Sequence, residues 1–150
     1  MNLILEGDDS VRYFTGMGAT LDALGISAAD YDWFVSDIET NLGENVFGWD
    51  DRWISGRDLQ ASLALGIQFI YGVFSAFPKG YRRTIEVFPG VYDNPNYWSG
   101  GAVSTQLPDA LFEVACWDSS ATILIGLPEQ ATVAFMRTYP AAKRLELARR

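Results

Sequence analysis

The residues able to do chemistry in this chain are almost all carboxylates. Nineteen Asp and Glu face eleven Lys and Arg, histidine is absent, and there is one cysteine. Asp37 and Glu39 stand two apart, as do Asp30 and Asp32, while Asp50 and Asp51 are adjacent. On a strand, residues two apart share a face. Such pairs can bind Mg²⁺ or Ca²⁺, or divide acid and base work as in glycosidases. None of them follows a calcium-loop pattern. Without histidine, a Ser-His-Asp or Cys-His arrangement cannot exist, and neither can a four-ligand Cys/His zinc site. Cys116 lies in an apolar run and reads as a buried, inert thiol. The Gly16-Met17-Gly18 stretch lacks the third glycine and the lysine of a phosphate cradle. No cofactor is expected.

The charge is unevenly distributed. Residues 1–60 hold twelve acids against Arg12, Arg52 and Arg57, a net of -9, and the remainder is close to neutral. A surface of this sign repels a phosphate backbone and attracts a basic partner. Electrostatic recognition of another macromolecule therefore ranks above carboxylate-based hydrolysis with a metal ion. A structural or regulatory subunit is the third reading. Solvation of an ordinary acidic surface competes with all three.

These side chains need a scaffold. A chain of 150 residues with 49% apolar content fits one domain with a real core. The expected fold is α+β, a mainly antiparallel sheet of five or six strands packed with helices. Residues 2–5 read as an edge or first strand, and 11–24 as a helix weakened by Gly16 and Gly18. Residues 31–39 alternate as a strand. Tyr31, Trp33, Val35 and Asp37 are expected on one face, with Asp32, Phe34, Ser36 and Ile38 on the other. Residues 41–51 read as a turn leading into a hairpin segment through Trp49 and Trp53. Ser55 and Asp58 form a capping pattern for a helix over 57–65.

Residues 67–77 are apolar on both faces, the pattern of a strand near the sheet centre. A turn follows at 78–80, then a candidate strand at 83–88. Residues 89–107 read as a long surface loop, a kind that in compact domains is often functional. Residues 111–117 and 121–127 form a hairpin. Pro128 starts a helix over 129–139, and the basic tail 141–150 reads as a helix end whose cations complement the dipole. The longest apolar run is too short to span a bilayer. The first residues turn acidic at once, unlike a secretory signal. The expected location is cytoplasmic.

Three stretches carry a family likeness. They are Tyr31-Asp32-Trp33-Phe34-Val35-Ser36-Asp37-Ile38-Glu39, residues 67–78, and Cys116-Trp117-Asp118-Ser119-Ser120 running into a strand and a final helix. In these, and in its acidic, aromatic-rich style, the chain resembles the small cytoplasmic immunity proteins of bacterial toxin systems. The resemblance implies a non-enzymatic partner, a cognate protein toxin, blocked by covering its active site. A toxin acting on nucleic acid has a basic cleft, and the acids here would occupy its phosphate positions. On that reading Asp30, Asp32, Asp37, Glu39, Glu44, Asp50 and Asp51 supply charge complementarity. Trp49, Trp53, Tyr97 and Trp98 serve as anchors, because interfaces favour ringed aromatics. Neither direct nucleic-acid binding nor a membrane is expected.

Overall fold

The computed structural model describes residues 1–7 and 15–149. Among them, seven strands form one antiparallel sheet in the order β3-β2-β4-β5-β6-β1-β7. The strands are β1 (Leu3–Glu6), β2 (Tyr31–Thr40), β3 (Arg52–Ser55), β4 (Phe69–Pro78), β5 (Phe112–Trp117), β6 (Ala121–Ile125) and β7 (Lys143–Arg144). The helices are α1 (Met17–Leu24), α2 (Gly56–Leu63) and α3 (Glu129–Thr138). The α+β class holds, with more strands than the expected five or six. The extra edge is β7, which pairs with β1 where the sequence suggests a helix end. The part of the expected helix 11–24 before residue 15 lies outside the described residues.

Period-two alternation divides the sheet into two unlike faces. Trp33, Val35, Phe74, Phe112, Val114 and Leu124 point to the side of the helices and pack with Met17, Leu21, Leu59 and Phe135. Trp33 is fully buried, and its indole N–H donates to the carbonyl of Ala28 at 3.0 Å. Helix α2 begins as expected: the Ser55 hydroxyl accepts from the Asp58 amide at 3.1 Å. Gly56 must be glycine, because a Cβ there would lie 2.0 Å from the Tyr31 carbonyl oxygen.

The opposite face is covered by residues 79–111, the connection between β4 and β5. Ile4, Val73, Ala115, Ile123 and Ile125 pack there with Val91 and Tyr97. Phe34 and Phe77 pack with Ile85 and Leu107. The expected strand at 83–88 does not form. That stretch is held by the Arg83–Asp109 ion pair and by the Trp53 indole, which donates to the Arg83 carbonyl at 3.0 Å. The connection includes a short 3-10 turn at Pro95–Trp98.

Candidate functional site

Three sheet carboxylates fasten the covering connection, and two of them are among the expected docking acids. Asp32 sits near the start of β2 and is buried. Its Oδ1 accepts from the Gly56 amide at 3.2 Å, and its Oδ2 from the Gly80 amide and the Arg82 guanidinium, each at 2.8 Å. Burial opposes ionisation, but the Gly80 amide, Arg82 and the Gly56 amide outweigh it and hold the carboxyl below its usual range. Next to it, Arg83 grips Asp109 with two bonds of 2.6 Å, and the Tyr81 hydroxyl donates to the same carboxylate. Asp32 with Arg82, and Asp109 with Arg83, are paired at this end. Asp32 is therefore a structural acid and offers no free charge to a partner, a correction to the expectation from sequence.

Asp37 stands at the other end of β2, at a break in the β2–β4 register. Its φ of 54° is left-handed, a conformation Asp tolerates better than most side chains. This bulge overturns the simple alternation: Ile38 joins the helix-side core with Trp33. The Asp37 Oδ2 accepts from the amides of Val91 and Tyr92 at 2.8 and 2.9 Å. Its own amide donates to the Asp51 carboxylate at 3.1 Å. Among the described residues, no salt bridge reaches Asp37, Glu39, Asp51 or Asp93. The nearby cation, Arg52, donates to the Gly48 and Asp50 carbonyls and lies over the Phe47 ring.

Asp37, Asp51 and Asp93 line an open depression of about 500 Å³ whose apolar wall includes Trp49 and Phe88. The negative field extends past it. Burial, then Asp118, then Tyr92 and Glu39, push the Tyr71 phenol upward, and Tyr71 meets Tyr92 edge to face at 5.1 Å. Val87, Phe88 and Tyr92 are 82, 53 and 65% exposed.

The expected acids do not form one patch. Asp30 is exposed at the far end of β2, roughly 20 Å of extended chain from Asp37. Glu39, Glu44, Asp50 and Asp51 are exposed and belong to the Asp37 end or the turn beside it.

The expected anchors fare differently. Tyr97 is 1% exposed, and its hydroxyl donates to the Glu113 Oε1 at 2.5 Å, so it is core and not an anchor. The Pro/Gly-rich segment around it suggested surface, but the segment lies flat on the sheet and turns this ring inward. Trp98 is half-buried and packs edge to face on Trp117 at 5.2 Å. Trp53 is half-buried among Phe34, Phe77 and Tyr81, with Arg82 over its ring. Trp49 is half-buried against the helix-side core, its indole donating to the Thr40 hydroxyl at 3.4 Å. Of the four, Trp49 alone lines the acidic depression.

Sequence reasoning missed Phe88, which the strand reading of 83–88 covered, and Tyr92, because in the loop read over 89–107 only Tyr97 and Trp98 were singled out. Glu113, the third fastening carboxylate, did leave a signal: it interrupts the apolar run Phe112–Trp117. A second groove, about 430 Å³ between α1 and α2, carries one acid, Asp22, and lies on the helix side. Among the described residues, no three carboxylate or thiol groups converge as a cage for a metal ion. No helix there is long and apolar enough to cross a membrane. No protein-family model, curated protein or solved structure matches this chain.

Proposed function

We propose that the chain is a protein-binding module that docks a basic partner on the Asp37 end of its loop-covered face, and that it acts as an immunity protein against a cognate toxin. One observation carries the reading: Asp37, Asp51 and Asp93, which no salt bridge reaches among the described residues, share a depression with exposed Phe88, next to exposed Tyr92. Acids around an aromatic anchor favour a basic surface twice over. They steer its approach, and the ring then supplies the apolar contact that slows its departure. Phe88 and Tyr92 replace Tyr97 and Trp98 as the proposed anchors. The acids of a basic cleft's usual ligand, nucleic-acid phosphates, are mimicked here by Asp51, Asp93 and Glu39.

The test is rescue of growth on co-expression with a toxic domain encoded beside this chain. Rescue should be lost with Phe88→Ala combined with Asp93→Lys, while the double variant keeps the wild-type circular dichroism and melting profile. Undiminished rescue by that folded variant removes this face from the reading. Isothermal titration with the purified toxic domain at low and high salt separates the two contributions. Asp93→Lys should erase most of the salt dependence, and Phe88→Ala should leave it.

A further inference from the structure

Glu113 is 0% exposed in the middle of the sheet, and among the described residues no Lys or Arg pairs with it. Both of its oxygens serve the covering connection. Oε1 accepts from the Tyr97 hydroxyl at 2.5 Å, and Oε2 accepts from the Gln106 amide at 2.8 Å. The Gln106 side chain extends this set. Its Nε2 donates to the Tyr97 hydroxyl and to the Gly90 carbonyl, and its Oε1 accepts from the Gly90 amide. Gly90 directly precedes Val91 and Tyr92, whose amides Asp37 holds. One continuous set of hydrogen bonds thus joins the buried carboxyl to the segment bearing Phe88 and Tyr92.

Among the described residues, the groups that act on the Glu113 carboxyl are the neutral Gln106 and Tyr97. Ser75 on β4 and Ile125 on β6 are the register partners of Glu113. Tyr97 and Gln106 face it from the connection, and Asp37 on β2 acts on Tyr97. Among the described residues, the buried Ser75 hydroxyl has no hydrogen-bond partner. Ser36, on the neighbouring strand, also carries a buried hydroxyl without a partner.

We propose that Glu113 is a proton-operated fastener of the docking loop: protonated, it holds residues 89–107 on the sheet; ionised, it favours their lifting. The physical reason is asymmetry of burial. An ionised carboxylate without a cation is costly in this interior, and the covering segment is what separates it from water. Burial raises the Glu113 carboxyl above its ordinary range, against the opposing pull of the Gln106 amide and Tyr97. A raised group stabilises the closed form below its unfolded value, and that contribution is lost as pH rises through the folded value. The inference deepens the docking reading by naming how its loop is regulated.

The test uses the free chain, so it stands or falls apart from any partner. Amide hydrogen exchange at Gly90, Val91 and Gln106 is followed from pH 4 to 8 and normalised to intrinsic rates. The opening constant in the wild type should rise by up to about tenfold per pH unit over the titration of Glu113. In Glu113→Gln it should be flat, and in Asp37→Asn the slope should persist. A flat wild type, an equal slope in Glu113→Gln, or loss of the slope in Asp37→Asn overturns the proposal. If Glu113→Gln does not fold, carboxyl carbon resonances of the wild type decide. A Glu113 midpoint above the usual glutamate range, moving in step with the Gln106 amide, supports the fastener, and a midpoint at or below that range overturns it.

Discussion

Asp32 and Asp37 sit on the same strand, five residues apart, and each binds two backbone amides of neighbouring loops. At Asp32 the charge is matched by Arg82 and closed off from solvent, with Arg83 and Asp109 paired alongside. At Asp37 the same fastening is done with no salt bridge among the described residues, and Asp51 and Asp93 share its depression. The first arrangement spends its electrostatics on the fold. The second leaves an unbalanced field at the surface beside exposed rings. A carboxylate count cannot separate the two; the placement of counter-charges does.

The largest expected effect is at the paired end. Asp32→Ala removes the acceptor of two amides and strands Arg82, and should cost about 3 kcal/mol in urea unfolding. Asp32→Asn should retain part of this loss, since the guanidinium then faces a neutral amide. Asp37→Ala should cost less, about 1–2 kcal/mol, through its two amide bonds alone. Asp37→Asn should lie within about 0.5 kcal/mol of wild type, because no cation is left unpaired. Equal losses for the two Asn variants would erase the contrast between the ends.

The pH dependence sharpens it. The Asp32 carboxyl is held below its ordinary value of 3.8. Its contribution is therefore present above the unfolded value and is lost as pH falls through the folded one. Wild-type midpoints in urea should fall below pH 4, and Asp32→Asn should weaken that dependence. The smallest effect on stability is at Phe88. It rests on Phe34 at 5.9 Å but remains half exposed, so Phe88→Ala should cost under about 1 kcal/mol in unfolding. As an anchor it should cost about 2 kcal/mol of binding, measured by titration with the toxic domain.

What could be read in advance was local. Alternation revealed β2, the β5–β6 hairpin followed from two apolar runs around Asp118-Ser119-Ser120, and Ser55 with Asp58 announced α2. The turn after β4 was equally plain. The candidate site was only half legible. Its acids Asp37, Glu39 and Asp51 were visible as a cluster, whereas Asp32 looked the same and serves the interior. Tyr97, expected as an anchor, is buried and Phe88, expected only to end a strand, is exposed, since both lie in irregular chain where no period marks a buried side.

By itself the sequence determined an α+β sheet protein with a negative first half, because propensity, alternation and charge are properties of neighbouring residues. Tertiary structure alone decided which acids meet a cation, which aromatics face water and that Glu113 lies sealed beneath a loop. Those outcomes depend on Arg82 and Val91 meeting Asp32 and Asp37 from 50 and 54 residues along the chain. Burial and pairing, which set the energy of a charge, are fixed only when those distant segments close over the sheet.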